Sequence, residues 1–571
     1  MTLTEYKSGL IGALSCFVFV LWFVLVIYLA PQYQNIAGSD SLAMINVLFP
    51  YFWVLLLAFV GICFVAFMRH GVSRWVHMLL VSQFALMLYY TPFLLGGFSW
   101  SPDSLWHGGI ASYLPDVLSG GNIVLSDYSN AYPLSFFVTY LFGQVGVNVF
   151  VYSLYVYPVV CCVVFSVLAY FFAYRLFGDR SAFLALLFML PALHYVEMHV
   201  SPFSAGTIIT LIALILSTYQ KKWALGLSFV VIVSLVIVHP ISPLMLAIYL
   251  FSLAISKFIY GRRTGVKIDK PFFFSLIFLF AIVALWSAWS IFAASVYAGV
   301  DTALAKFLSL GFIQQLFFAS EFTVGNAGFI YPWIHNLSLI IYGLIFVLML
   351  VGNKPTLGNI RAFFGKGFDV LASKRFSLLF AAVIYAAMGF LLFLASGERF
   401  LLGRGLLYFI FMGSMVLATY VVMNGSMFKR SRVLIAFGLI IFLVCTFPII
   451  SYSKEAYNTY TPSANSGLSF VSNKIDLSQH SLSMAASRQL ASYVDLTKGL
   501  DLEDFPPNFN SSRPDFIAMR SNNYFLISMR VDLSFTENSF TRLNTQLLDS
   551  SDYGKVYSNP NFDVYARTAL P

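Results

Sequence analysis

The chain has 571 residues, of which 59% are hydrophobic and only 10% are charged. A soluble domain carries about a quarter charged residues, so this composition excludes a soluble enzyme. The formal net charge of +9 is compatible with nucleic-acid binding, but an excess of Lys and Arg is also typical of the cytoplasmic loops of membrane proteins. Ten basic and twelve acidic residues fall in 451–571, so the sequence predicts a large membrane domain followed by a polar tail.

Thirteen apolar runs are long enough to cross roughly 30 Å of hydrocarbon. The first, Gly9–Ala30, is too long for a signal-peptide core and is not followed by a small-x-small cleavage site, so we expect it to be retained. The sequence therefore predicts an α-helical polytopic membrane protein with about 13 transmembrane helices. The runs lie near 9–30, 46–68, 75–95, 148–174, 181–198, 203–219, 223–239, 241–258, 272–298, 335–352, 376–395, 403–423 and 433–450.

Loop charge predicts the orientation of these runs. Twenty Lys and Arg fall in one alternating set of loops before the tail, and only Lys306, Arg399 and Arg404 fall in the other set. By the positive-inside rule the N-terminus is inside and the tail is outside. The basic residues are scattered over short turns and form no patch with interleaved aromatic residues, which argues against a nucleic-acid partner. All five cysteines lie in apolar runs and none in the tail, so no disulfide framework is expected.

Acidic residues and histidines favour the outer side. Eight of the twelve acidic residues before the tail are predicted to lie outside. Asp and Glu contribute little to orientation, so topology does not explain this distribution, and it indicates that any chemistry faces outward. Five of the eight histidines also sit at or near outer ends of runs: His107, His194, His199, His239 and His335.

The first long outer loop, 96–132, contains three Asp and no Lys or Arg. Ser101–Asp103 is a typical helix start, and apolar residues recur at helical spacing from there to about Gly120. This pattern predicts an amphipathic helix lying on the membrane surface. Asp103 and His107 are four residues apart and share one face. They are either a helix-dipole partner and an interfacial polar residue, or part of a reactive site.

The second outer loop, about 196–203, adds a carboxylate and an imidazole. Glu197 and His199 lie two residues apart on a short outward turn. Together with Asp103 and His107 they are candidate ligands of a divalent metal ion or candidate acid/base groups. Their spacing is not a zinc signature, so the metal and non-metal interpretations both stay open.

Two arginines depart from the positive-inside pattern in the outer loop 396–404. Arg399 and Arg404 either pair with Glu398 or extend to the lipid headgroups, or they bind a phosphate at the membrane surface. The guanidinium group is suited to phosphate because its donors form a planar fork.

Taken together, these features resemble the GT-C superfamily of glycosyltransferases that use polyprenyl-phosphate-linked sugars, in particular the protein mannosyltransferase and aminoarabinose transferase type. The resemblance covers about 75–571 and is one of arrangement more than of exact motif. Residues 1–74 add a transmembrane hairpin, and neither outer loop carries a strict Asp-x-Asp. The similar features are the acid of Ser101–His107, Ala131–Pro133, Phe142-Gly143, Arg175–Gly178, Glu197, His239-Pro240, Glu398-Arg399 and the tail segment Lys555–Tyr565.

The resemblance implies three parts of the chain. Residues 1–74 form the extra hairpin and 75–450 a GT-C-like catalytic domain, followed by an extracytoplasmic α/β domain at 451–571. The catalytic outer loops are 96–132, 196–203, 299–334 and 396–404.

The resemblance also implies a reaction. A sugar moves with inversion from a polyprenyl (dolichyl) phosphate to a hydroxyl of a glycan, lipid or protein acceptor outside the membrane. Asp103 would be the base and Arg399 or Arg404 would bind the donor phosphate. His107, Glu197 and His199 would hold the sugar or a divalent metal ion.

The tail becomes polar immediately after Ile450. Its pattern predicts a helix over Met484–Val494, strands over Asp515–Arg520 and Tyr524–Asp532, and a hairpin over Lys555–Arg567.

Two other classes of protein remain as alternatives. A transporter or flippase for lipid-linked glycans normally carries ionisable residues in mid-membrane, and no Asp, Glu, Lys or Arg lies in the middle of a predicted span. A polymerase or ligase of the O-antigen type usually depends on outer-loop arginines more than on an Asp in the first loop.

Overall fold

The structure is a computed structural model of the full chain. The residues that it describes are 3–36, 43–96, 107, 111, 114, 132–147, 151–194, 198–219, 221–264, 270–292, 337, 340–348, 370–396, 399–423, 430–452, 482–485, 516–520, 553–559 and 562–567.

Most of the described residues are helical. Helical residues occur in each of the thirteen predicted apolar runs, as expected where backbone polar groups must be satisfied within their own segment. The helices with described bounds are α1 (Leu3–Ile36), α2 (Ala43–Leu48), α3 (Tyr51–Met68), α4 (Arg74–Tyr89), α5 (Thr91–Gly96), α6 (Leu134–Gln144), α7 (Tyr157–Phe177), α8 (Asp179–Ala192), α9 (Pro202–Ser217), α10 (Lys222–Val238), α11 (Ser242–Thr264), α12 (Lys270–Phe292), α13 (Val370–Ser396), α14 (Arg399–Met423) and α15 (Arg430–Tyr452).

Six helical segments of the described chain are long and apolar enough to cross a bilayer. The protein is therefore a helical membrane protein. Shorter apolar helices, including α9 and α10, account for further predicted runs. The six segments are Ser8–Tyr33, Tyr51–Met68, Tyr157–Phe177, Ser242–Arg262, Arg404–Val422 and Arg432–Tyr452.

Two predicted runs are divided in the structure. The run 46–68 is not one helix, because α2 ends at Leu48 and a turn at Phe49-Pro50 precedes α3. The ring of a proline removes a backbone donor, so helices commonly break next to it. The run 75–95 likewise divides into α4 and α5 on either side of Tyr90.

Helix α14 is the most buried of the six spans. In its apolar segment 83% of the residues are buried, whereas in that of α1 22% are buried. It packs along α13 and also against α8. The backbones of α13 and α14 approach closely at two glycines, Gly389 on α13 and Gly405 on α14. Small residues let helix backbones approach each other in membranes, where burial of apolar surface gives no drive for association.

The described part of the tail forms a four-stranded sheet in the order β1-β2-β4-β3. The hairpin predicted over 555–567 is confirmed by the antiparallel pairing of β3 and β4, and the strand predicted at 515–520 by β2. The helix prediction is wrong at its start, because Met484 belongs to β1, which pairs in parallel with β2. Ladder hydrogen bonds to a neighbouring strand override weak local helix preference. The strands are β1 (Leu482–Ala485), β2 (Phe516–Arg520), β3 (Tyr553–Asn559) and β4 (Phe562–Arg567).

Candidate functional site

A cluster of basic and aromatic side chains lies where α9 and α14 begin and α10 ends. Arg404 is in the second turn of α14, and its guanidinium carbon lies 4.6 Å from the ring centroid of Phe203 on α9. The Phe203 ring also contacts His239, and the centroids of the two rings are 5.1 Å apart. The three side chains bring together positions that are far apart in sequence. We call this group, with His107 and His199, the Arg404 cluster.

The start of α9 is fixed by its own sequence. The Ser201 hydroxyl accepts a hydrogen bond from the backbone N–H of Ser204 at 3.0 Å, and Pro202 occupies the first helical position. This is the serine cap and early proline that favour a helix N-terminus. The Ser204 hydroxyl donates to the His199 carbonyl at 2.7 Å and lies 2.6 Å from the hydroxyl of Tyr157. These bonds hold the turn that carries the buried His199 against α7.

The turn after α10 positions His239. Its ring nitrogen Nδ1 accepts hydrogen bonds from the backbone N–H groups of Ile241 and Ser242, both at 3.3 Å, and lies 3.0 Å from the Ser242 hydroxyl. The Pro240 carbonyl accepts a hydrogen bond from the indole N–H of Trp286 at 2.8 Å. The imidazole is completely buried. The turn is thus tied both to the helix that follows it and to α12.

A glycine on α9 makes room for this turn. A Cβ added at Gly206 would lie 3.1 Å from the Cβ atoms of both His239 and Ser242. That distance is tighter than an ordinary van der Waals contact, so the absence of a side chain at this position lets α9 approach the turn.

His107 completes the described part of the cluster. It is helical and buried, and its ring centroid lies 5.3 Å from that of Phe136 on α6. Burial, reinforced by the nearby His199 and Arg404, lowers the pKa of His107 well below its usual value. His107 is therefore a neutral imidazole at pH 7. Ala111 and Leu114 are also helical and buried, and with His107 they have the spacing of one face of a helix.

The structure describes three of the six predicted site residues, His107, His199 and Arg404, and it brings all three together. Arg399 is the first residue of α14, of which only the backbone is described. Asp103 and Glu197 lie outside the described residues, as does most of the loop 96–132 and the whole of 299–334.

Of the remaining histidines that are predicted to lie outside, His194 does not join the cluster. The ring of His194 stacks on Phe447 of α15 at a centroid distance of 5.5 Å, and its Nδ1 lies 3.3 Å from the hydroxyl of Ser451. It is part of the packing between α8 and α15. His335 lies outside the described residues.

The described cluster does not resemble a metal site. Within the described ranges, no three His, Cys, Asp or Glu side chains come together in a way that could hold a metal ion. The imidazole of His107 lies near the fixed positive charge of Arg404, which opposes binding of a cation. A guanidinium is suited to an anion instead, and its planar fork of donors matches a phosphate or a carboxylate.

The opposite end of the bundle carries basic residues that were predicted to lie inside. Arg180 donates to the Phe67 carbonyl in the last turn of α3 at 2.8 Å, and the Lys374 ammonium donates to the Leu176 carbonyl in the last turn of α7 at 3.2 Å. Helix C-termini bear partial negative charge, so cations stabilise them. These basic residues therefore satisfy helix ends, whereas Arg404 lies at a helix beginning.

A partly buried pair of a histidine and a carboxylate lies at the same end of the bundle. His77 on α4 and the Asp179 carboxylate at the start of α8 approach to 2.8 Å, and Tyr170 donates a second hydrogen bond to that carboxylate. Burial raises the pKa of Asp179, but the two hydrogen bonds and the charge of Arg74 outweigh it, so the pKa lies below its usual value. This pair links α4 to α8.

No family model matches this chain, and no curated protein is significantly similar to it. The candidate site is consequently defined by its own geometry.

Two members of the site are not singled out by the sequence. His239 stands out only as one of the histidines predicted to lie outside and as part of the His-Pro turn, and Phe203 does not stand out at all. The available signals were weak: a Ser-Pro helix start just before Phe203 and a glycine, Gly206, one turn later. Neither indicates which distant residue the ring will face.

Proposed function

We propose that this protein is a membrane glycosyltransferase that moves a sugar from a polyprenyl (dolichyl) phosphate to an acceptor hydroxyl on the outer face of the membrane. The observation that carries the proposal is the Arg404 cluster, in which a guanidinium held on Phe203 lies near buried histidines. A cationic site of this kind among membrane helices fits the phosphate of a lipid whose chain lies in the bilayer. The arrangement of outer loops resembling the GT-C superfamily supplies the rest of the assignment.

The proposal includes the topology. Thirteen spans with the N-terminus inside place the Arg404 cluster and the residues 451–571 outside, in the extracytoplasmic space of the cell membrane. Support comes from Arg180 and Lys374, which lie at the bundle end opposite Arg404. This separation is the one that the positive-inside rule requires.

The mechanism is a single displacement at the anomeric carbon. Asp103 takes the proton of the acceptor hydroxyl as its oxygen forms the new bond to the anomeric carbon. The bond from that carbon to the phosphate oxygen breaks, and the electron pair remains on the lipid phosphate. Arg404 stabilises this developing charge, and Arg399 is its predicted second contact. The phosphate is already a good leaving group, so no acid is required, unlike in glycosidases.

His107, His199 and Glu197 hold the sugar in this proposal. A neutral imidazole such as His107 both donates and accepts hydrogen bonds, which suits sugar hydroxyls. No step of this mechanism depends on a divalent metal ion, so it predicts that sugar transfer is unchanged in the presence of a chelator. Loss of transfer with a chelator would instead assign these residues to a metal ion.

The test uses the full-length protein in detergent or liposomes with a labelled polyprenyl-phosphate sugar and candidate glycan, lipid and protein acceptors. Asp103→Asn should lower the transfer rate by about 10²-fold or more, the usual contribution of a general base. Asp116→Asn, in the same outer loop, is the matched control and should retain wild-type activity. Equal rates for Asp103→Asn and wild type would refute the assignment of the base.

Arg404 is tested through donor binding. Arg404→Gln should weaken donor binding by roughly 10- to 100-fold, because a hydrogen-bonded charge contact contributes about 1.5–3 kcal/mol. Arg432→Gln is the matched control. The guanidinium carbon of Arg432 lies 5.2 Å from the ring centroid of Tyr420, so Arg432 also stacks on an aromatic ring. It lies where α14 ends and α15 begins, whereas Arg404 lies near the beginning of α14. Donor binding that is equally weakened by both substitutions would contradict the site.

A polymerase or ligase of lipid-linked glycans is the second candidate. The same cluster favours it, because that class depends on outer-loop arginines. It differs in one outcome: Arg404→Gln would abolish its reaction, whereas Asp103→Asn would leave the reaction intact.

A further inference from the structure

Backbone hydrogen bonds fix the orientation of the His239 ring in the Arg404 cluster. Its Nδ1 accepts from two backbone N–H groups, those of Ile241 and Ser242. A ring nitrogen that accepts hydrogen bonds carries no proton, so the proton of the neutral ring is on Nε2. The backbone of the turn thereby fixes the tautomer.

The proton on His239 Nε2 has no acceptor in the part of the chain that the structure describes. His239 is fully buried, and its Nε2 has no hydrogen-bond partner among the described residues. A buried donor without a partner costs about 1–3 kcal/mol, so an orphan of this kind requires an explanation. The ring lies against Phe203, on which the Arg404 guanidinium rests, and the charge of Arg404 acts on the imidazole directly. The surroundings of this donor are therefore positively charged and disfavour a cationic partner.

We infer that His239 Nε2–H is a second hydrogen-bond donor to the phosphate group of an isoprenyl-phosphate lipid held by Arg404. The inference rests on the proposed function in that the anion is the donor's lipid phosphate. It goes beyond that function in assigning a neutral donor whose tautomer the backbone sets. His239 would be a binding residue that recognises a phosphate oxygen without adding charge.

Two substitutions separate this role from a structural one. In His239→Asn the side-chain oxygen replaces Nδ1, so the bonds from Ile241 and Ser242 can persist, but the Nε2 donor is lost. In His239→Gln the terminal amide replaces Nε2, so the donor is kept, while the turn loses its acceptor. A binding role predicts that Gln is tolerated better than Asn, and a purely structural role predicts the reverse order.

The experiment measures the affinity of farnesyl phosphate, farnesol and inorganic phosphate for the full-length protein in detergent micelles, together with the melting temperature of each variant without ligand. Farnesyl phosphate should bind wild type and His239→Gln within about threefold of each other, and His239→Asn at least about tenfold more weakly. In nitrogen NMR of histidine-labelled wild type, the signal of His239 Nε2, identified by its absence from the spectrum of His239→Gln, should shift when farnesyl phosphate is added.

Several results would overturn the inference. One is farnesyl phosphate binding to His239→Asn as tightly as to wild type, and another is the reverse order of the two variants. A third is equal binding of farnesol, which carries no phosphate. Inorganic phosphate binding as tightly as farnesyl phosphate would make the ligand a free phosphate and not a lipid headgroup.

The outcome is separable from that of the proposed function. Farnesyl phosphate binding that follows His239, in a protein that transfers no sugar, would refute the reaction and leave the phosphate site. Sugar transfer that depends on Asp103, with binding indifferent to His239, would refute the inference alone.

Discussion

The close approach of Gly405 on α14 to Gly389 on α13 gives a quantitative test of how Arg404 is positioned. A Cβ at Gly405 would lie 2.8 Å from the Gly389 nitrogen and 2.9 Å from the Tyr385 carbonyl oxygen, whereas ordinary van der Waals contact begins at 3.4 Å. Both atoms belong to backbone and cannot rotate away. The Gly389 Cα is closer still, so in Gly405→Ala the two helices must separate by more than about 0.6 Å or distort locally.

Overpacking of this kind costs about 1–3 kcal/mol, against which alanine recovers about 1 kcal/mol of helix propensity. The expected net loss is therefore up to about 2 kcal/mol, measured as a fall in melting temperature of the detergent-solubilised protein. Because Arg404 is the preceding residue, its guanidinium should move as well. A shift of about 1 Å can lower a rate by about 10²-fold, so donor binding and transfer should weaken together.

The matched control is Gly226→Ala in α10, where an added Cβ has nothing within 4 Å. This variant should be as stable as wild type or slightly more stable, since only helix propensity changes. A melting temperature of Gly405→Ala at or above that of Gly226→Ala would refute the close helix contact and the positioning of Arg404 that depends on it.

Two further predictions concern parts of the fold around and opposite the site. Trp286→Phe removes the hydrogen bond to the Pro240 carbonyl. It should lower the free energy of unfolding by about 0.5–1.5 kcal/mol and weaken farnesyl phosphate binding. Unchanged binding would show that this bond does not hold the turn. The lowered pKa of Asp179 means that its stabilising effect is complete above its unfolded pKa of about 3.9 and is lost as the pH falls through the folded value. The melting temperature of wild type should therefore fall toward that of Asp179→Asn below about pH 4, and a constant difference between them would contradict the ion pair with His77.

The sequence by itself determined that this is a helical membrane protein. Apolar runs are recognisable because transfer from water to hydrocarbon is roughly additive over neighbouring residues and needs no knowledge of the fold. The hairpin of β3 and β4 was predictable for a similar reason, since its strands are adjacent in sequence and joined by a short turn. The strand at Met484 was not predictable, because pairing with a strand about 30 residues away determines its conformation.

The tertiary structure alone decided which polar residues meet. Loop charge and helix signals indicated that His107, His199 and Arg404 face the same side, but they could not separate them from His194, which packs against α15 instead. The juxtaposition of Arg404 with Phe203, about 200 residues away, depends on how far α14 and α9 approach and on how each helix is rotated. Those distances are set by glycines and side-chain volumes at helix contacts, which no local periodicity records.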